Sequence, residues 1–291
     1  MTKTSATIVF FGNERLATGV TTNAPTLRGL IEAGYNVAAV VVAQAEAGKS
    51  RAPRELEVAA VAEKHDIPLL TSIDGLAELG AEIGVLVAFG RIIPEGLLEL
   101  FPKGIVNVHP SLLPKHRGPT PLESVILEGA TETGVSLMKL APEMDAGPVF
   151  AQHKLSLSGS ESKQELADKA AEIGSKLVID NLPAILEGSL EAKPQDDSQA
   201  TYDKQIEKVH GVVDWTKPAV QLEREVRAYA GWPRSRTTLG TTEAIIAQAH
   251  VGKADEPLAI QTGEGYLVID SLIPVGKKEM DARGFLAGYS L

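Results

Sequence analysis

The chain has 291 residues, 44% of them apolar, which is enough for a sizeable core and long enough for two domains. It contains no cysteine, which excludes disulfides, Cys-ligated zinc and thiol nucleophiles. A formal net charge of −10 excludes attachment to nucleic acid by bulk charge, although residues 201–291, with 11 Lys/Arg against 12 Asp/Glu, are nearly balanced.

Thr7–Phe11 is a short apolar β run that stops at Gly12. It is too short for the core of a signal peptide, and no segment approaches the roughly 18 apolar residues that span a bilayer. A cytoplasmic protein without membrane association is therefore expected. Thr26–Ala33 has helical character and ends at Gly34, and Asn36–Val42 is a continuous β-branched run of the kind buried on both faces. Pro53–His65 is predicted helical with Pro at its start. Ile67–Leu70, Ile83–Ala88 and Ile105–Val108 are predicted strands, and Val135–Leu140 and Val149–Leu157 follow. A strand–helix–strand succession of this kind gives a mostly parallel sheet covered by helices. A long helix is predicted from near Ser160, with Leu166, Ala170, Ile173, Leu177 and Leu182 on one face and Pro183 kinking or ending it.

Glu191–Ser198 is polar, charged and interrupted by Pro, and reads as a linker. Beyond it a helix over Ala219–Ala230 precedes short β runs at Arg236–Leu239, Glu243–His250, Leu258–Gln261 and Gly265–Ile273, the pattern of a small β-barrel. The expected division is an α/β domain over 1–189, a linker over 190–207 and a small β domain over 208–291.

Two familiar signatures fail. After Gly12 come Asn13, Glu14 and Arg15, so no Gly-x-Gly-x-x-Gly loop follows the first strand and a nicotinamide cofactor is not expected. Gly48-Lys49-Ser50 mimics the end of a phosphate loop, but position 43 is Ala and the segment lies well past the strand. No His-Glu-x-x-His or similar spacing is present, so no metal is expected.

The informative stretch is Gly104–Gly118. Asn107 and His109 stand two apart near the end of an apolar strand, so their side chains share one face. The carboxyl ends of parallel strands line the ligand crevice of such sheets. Asn offers a neutral donor to a developing oxyanion, and His moves protons near neutral pH. Together they suit acyl transfer without a covalent nucleophile. A carboxylate would complete the set, and Ala141–Gly147 offers both Glu143 and Asp145; spacing does not choose between them.

Asn107-Val108-His109-Pro110-Ser111-Leu112-Leu113-Pro114, followed by Arg117-Gly118, resembles the signature of the folate-dependent formyltransferases. Glu132-Thr133-Gly134-Val135-Ser136 and Met144-Asp145-Ala146-Gly147-Pro148 are similar to the same family's second block. The resemblance implies a catalytic set of Asn107, His109 and Asp145, leaving Glu143 out. It also implies a formyl donor, 10-formyltetrahydrofolate, contacted by Val87, Ala88, Phe89, Gly90 and Ile92 and by Ser111, Leu112, Leu113 and Pro114. Val213-Asp214-Trp215, Gln221–Arg224, Val226–Ala228, Trp232-Pro233, Pro274–Met280 and Ala282–Leu286 resemble the C-terminal domain of the members that formylate initiator methionyl-tRNA. That resemblance implies a Rossmann-like domain followed by an OB-like barrel, tRNA as acceptor, and a role in translation initiation. Trp215 and Trp232 read as core packing. A monomer is expected. An amino group on a sugar nucleotide is the alternative acceptor, and a non-catalytic folate- or RNA-binding relative is the other alternative; the closing motif over 276–286 disfavours the first and the intact Asn107/His109/Asp145 set the second.

The chain departs from the family at three places. Pro110 stands where Gly is common, Asn13-Glu14-Arg15-Leu16 replaces Thr-Pro-Asp-Phe, and the basic loop after the second strand shrinks to Gly48–Arg54. Lys49, Arg51 and Arg54 survive there as expected contacts to the tRNA acceptor end.

Overall fold

The computed structural model describes residues 6–43 and 56–290. Lys49, Arg51 and Arg54 lie outside the described residues. β1 (Thr7–Gly12), β2 (Asn36–Val41), β3 (Leu69–Leu70), β4 (Ile83–Val87) and β5 (Ile105–His109) run parallel. β6 (Glu132–Lys139) and β7 (Val149–Ser156) add to β5 antiparallel, giving the order β3-β2-β1-β4-β5-β6-β7. The chain moves outward from β1 to β2 and β3, then returns to the other side of β1 for β4. The β1–β4 boundary is thus the point where strand order reverses, the place where sheets of this kind take their ligands.

The apolar runs sort by alternation into two cores. Ile8, Phe10, Val40, Val85, Val87, Val106, Val108 and Leu137 face α1 (Pro25–Glu32), α2 (Glu57–Lys64), α4 (Pro121–Glu128) and α5 (Lys163–Glu187). Val9, Phe11, Val41, Leu86 and Ile105 face the other way, with Phe89, Leu97 and Phe101 around the short helix α3 (Glu95–Leu98). Phe11 takes Phe89 and Phe101 edge-on, with ring centroids 5.7 and 5.8 Å away.

α5 opens on a capping box, Ser162 with Glu165. At Gly174 it approaches β5 so closely that a Cβ would collide with Val108. Of the two outcomes expected at Pro183, a kink or an end, the helix does not end there and runs on for another turn. Proline removes one N–H and strains the preceding turn, but buried Leu182 and Ile185 hold the last turn on the core, and Gly188, with φ +79, closes it in the left-handed conformation.

The second domain is α6 (Ala219–Ala228) and α7 (Ala282–Gly288) against a curled antiparallel sheet of five strands. Its strands are β8 (Ser235–Leu239), β9 (Thr242–Gly252), β10 (Ala259–Gln261), β11 (Tyr266–Pro274) and β12 (Met280–Asp281). Register shifts between Ile269 and Leu272 bend β11. Residues 212–219 cross the opening between edge strand β8 and the β10–β11 turn: Val213 N–H donates to Arg236 O and Ala219 N–H to Glu264 O, both at 2.9 Å. Trp215 packs on this core as expected, its indole N–H on Thr237 Oγ1 at 3.1 Å. Trp232 does not; it is 38% exposed, because it sits in the loop that joins the domains rather than in a strand.

That junction is built on Lys163. Its ammonium, buried like its partner Glu123, donates to Thr18 O (2.9 Å) and Trp232 O (3.1 Å) and lies 3.5 Å from Glu123 Oε1. One cation thereby ties the loop after β1, helix α4 and the second domain together, beside a close backbone approach of Gly19 to Gly231. Burial pushes the Glu123 carboxyl up and the Lys163 ammonium down, so the charges are costly to keep and depend on each other. Lys163→Met is expected to destabilise the fold by about 3–5 kcal/mol, since it strands a buried carboxylate and two carbonyls. Glu123→Gln, whose amide oxygen still accepts, is expected to cost about 1 kcal/mol. Urea unfolding of the two variants checks the ranking.

Candidate active site

On β5 the apolar row that faces α3 begins with Ile105 and is continued by Asn107 and His109. Both polar residues are buried, at 6% and 5% exposure. Asn107 sits between Leu86 of β4 and Met138 of β6, and His109 lies opposite Ser136. The Asn107 amide makes no hydrogen bond among the described residues. An amide that no side chain or backbone group engages is free to meet a ligand oxygen.

His109 lies between two oxygens. Nε2 is 2.8 Å from the carbonyl of His116, which can only accept, so that nitrogen donates. Nδ1 is 3.6 Å from Asp145 Oδ1. Asp145 belongs to the β6–β7 connection and holds a positive φ of 50°, unusual away from glycine. Its other oxygen, Oδ2, accepts from Gly118 N at 2.8 Å. Glu143, two residues earlier, is exposed to solvent. Of the two acids that spacing left open, Asp145 is the one at the imidazole.

The segment after β5 is fastened to the antiparallel part of the sheet. Ser136 Oγ donates to Ser111 O (2.6 Å) and accepts from Leu113 N (3.1 Å), while Gln152 Nε2 donates to Leu113 O at 2.8 Å. Leu113–Pro114 is cis. The Ser111 hydroxyl is committed to Lys115 O at 2.7 Å. Leu112 lies against Gly134, where a Cβ would collide with its side chain.

Of the segment Val87–Ile92, Val87 and Phe89 are core residues, Ala88 and Gly90 have positive φ, and Ile92 stands 85% exposed. The carbonyls of Val87 and Ala88 accept from Glu14 N (3.2 Å) and Asn13 N (3.4 Å), which zips the loops after β4 and β1 together. Gly12 makes this possible, since a Cβ there would overlap the Val87 carbonyl. Glu14, in the altered segment after β1, is buried and caps α1 by accepting from Thr26 N (2.9 Å) and Leu27 N (2.8 Å); burial pushes its carboxyl up.

The segment between the domains is part of this site. Residues 193–204 form a strap: Lys193 pairs with Val149, Arg117 N donates to Thr201 O, and Asp203 N to Arg117 O. Arg117, 1% exposed, sends its guanidinium to Gln195 Oε1, Asp197 Oδ1 and Tyr202 Oη. Gln195 in turn donates to Asp145 O (2.8 Å) and Gly147 O (2.7 Å). His116 Nδ1 meets Asp203 Oδ1 at 3.2 Å and Nε2 stands 3.7 Å from Glu128. None of these partners was singled out from the sequence, where 191–198 has only the composition of a linker.

Two family models cover most of the chain: formyl transferase over residues 14–182, and formyl transferase, C-terminal domain, over residues 205–290. A methionyl-tRNA formyltransferase of Pelobacter propionicus is 35% identical across 98% of this chain and 93% of its own length. One from Chloroflexus aurantiacus is 36% identical across 90% and 92%. Among solved structures, HypX from Aquifex aeolicus in complex with tetrahydrofolic acid matches with a TM-score of 0.66 at 18% identity, over 97% of this chain and 46% of that one. WlaRD, a sugar 3N-formyl transferase, matches with 0.68 at 18%, over 94% and 99%. At such identities the two structures share the fold.

The His116–Asp203 pair gives a pH signature. The hydrogen bond that His116 donates to Asp203 raises His116 above the usual histidine value. A group raised in the folded state contributes stability fully below its unfolded value, about 6.5, and loses it as pH climbs through the folded one. The stability difference between the natural chain and Asp203→Asn is therefore expected to be larger near about pH 6 than near about pH 8. Urea unfolding at the two pH values measures it.

Proposed function

The chain belongs to the formyl transferase family, and from that premise we propose that it moves a formyl group from 10-formyltetrahydrofolate to the α-amine of initiator methionyl-tRNA. The observation that carries the reading is the meeting of Asn107, His109 and Asp145 at the carboxyl end of β5, within a chain that has both family domains and relatives so named along nearly its whole length.

The amine nitrogen attacks the formyl carbon, forming a C–N bond and a tetrahedral oxyanion. The Asn107 amide donates to that oxygen as charge develops. His109 takes the proton from the incoming amine and delivers it to N10 of the folate as the C–N10 bond breaks. Asp145 orients the imidazole by accepting from an Nδ1–H, so that Nε2, once it leaves the His116 carbonyl, offers the lone pair that takes the proton. The donor occupies the crevice at the switch point, along Val87–Gly90 and Ile92 and along Ser111–Pro114. The backbone and the apolar faces of these segments serve it, because Val87 and Phe89 are core and the Ser111 hydroxyl is committed. Residues 1–189 carry the chemistry and 208–291 the larger part of tRNA recognition. The reading places the protein in the cytoplasm as a monomer.

His109→Ala and Asn107→Ala are each expected to lower kcat at least about 100-fold in folded protein. Asp145→Asn is expected to be crippling and Glu143→Gln mild. Steady-state assays with methionyl-tRNA, and in parallel with an amino sugar nucleotide, check both the ranking and the acceptor.

Lys49, Arg51 and Arg54 are proposed contacts to the acceptor end. Replacing Arg51 and Arg54 together with Ala is expected to raise the KM for methionyl-tRNA and to flatten its salt dependence by a slope of about 2, because each phosphate contact releases about one counterion. A salt titration of KM in both proteins measures the difference; equal slopes would remove these residues from the interface.

A further inference from the structure

Asp145 serves His109 only in one orientation, and its backbone sits where non-glycine residues are seldom found. Something must hold the turn. Gly118 N–H restrains the carboxylate and Ala146 N–H closes on Glu143 O at 3.3 Å, while among the described residues one side chain, Gln195, bonds the backbone on both sides of Ala146. Its amide spends both N–H bonds on this turn, one on Asp145 O and one on Gly147 O. Its oxygen is taken by Arg117 Nε (3.1 Å) and Nη2 (2.8 Å). Carbonyls on one side and a guanidinium on the other leave the amide only one way round. Gly147 packs so closely on Lys139 O that a Cβ there would overlap it.

We propose that Gln195, on the strap between the two domains, is a positioning residue for the reaction: it clamps the 145–147 turn so that the Asp145 carboxylate stays on His109. The clamp runs in a closed circuit, from Arg117 through Gln195 to the Asp145 turn and back through the Asp145–Gly118 hydrogen bond to the residue after Arg117. A shift of the 110–118 loop and a shift of the 145–147 turn are therefore coupled. The kinetic part of this inference rests on the formyl-transfer reading; the geometric part does not.

Two substitutions separate clamping from mere packing. Gln195→Leu keeps the volume and removes every bond. Gln195→Glu keeps an acceptor for Arg117 but cannot donate to the two carbonyls. Both are expected to lower kcat between about 10- and about 100-fold, the scale of a small misplacement of a reacting group, with KM for either substrate within about twofold of the natural chain's. In an Asp145→Asn background each is expected to cost little more, because the group being positioned has already lost its role. The 15N resonances of the His109 ring, recorded without substrate, are expected to move from the natural positions toward those of Asp145→Asn. Unchanged ring resonances in Gln195→Glu, or losses that multiply fully with Asp145→Asn, would overturn the inference. Absence of formyl transfer in the unsubstituted chain would instead overturn the reading of function, and the ring resonances would still decide the positioning role.

Discussion

A guanidinium with almost no exposure must find acceptors inside the protein, and Arg117 finds them all on one segment. That requirement shapes the site. The segment after β5 cannot leave the sheet freely, because Arg117 roots it in residues 195–202. The strap cannot hang in solvent, because among the described residues its side chains are the ones that answer the buried charge. Asp197, 80% exposed at its carboxylate, can bend over the surface to do so; Gln195 must lie inside, where it also touches the turn that carries Asp145. The position of one carboxylate thus follows from the burial of one cation.

Much of the scaffold was legible in the sequence because hydrophobic alternation is local. Each β run of the first domain stands within a few residues of its expected place, and the break in alternation at Asn107 and His109 marked the one strand whose end is polar on a single face. What alternation could not give was the third group. Glu143 and Asp145 both lie in a turn, and a turn's outcome depends on backbone angles; only the positive φ of Asp145 sends its carboxylate inward and leaves Glu143 outside. Resemblance to the family named Asp145, the acid whose Oδ1 lies 3.6 Å from His109 Nδ1.

Other features escaped for the same physical reason. The strap's polar composition is that of a linker, and nothing within it announces a partner 78 residues away at Arg117 or 50 away at Asp145. Pro183 argued for a kink or an end, yet the helix continues past it, with Leu182 and Ile185 buried on the core. Trp232 looked like core by its size, but its loop is used for backbone contacts with Lys163 and Gly19, and the ring is left at the surface. Long-range polar satisfaction is invisible to a window of sequence, while apolar periodicity is not.

Two junctions tie the domains together. Lys163 joins the loop after β1 to the Trp232 loop, and the strap joins the β5 loop and the Asp145 turn to the entry of the second domain. For formyl transfer to the end of a tRNA, this arrangement matters more than net charge. An acidic protein gains little from long-range attraction to RNA, which puts the weight on local contacts and on shape. Shape is preserved only if the second domain keeps its position relative to His109. A buried ion pair and a bonded strap are stiffer than surface contacts, because displacing either exposes an unpaired charge to a medium that solvates it poorly. The energy held in those two junctions is therefore spent on geometry, which a chain with a net charge of −10 needs in order to hold an anionic acceptor at a neutral amide and an imidazole.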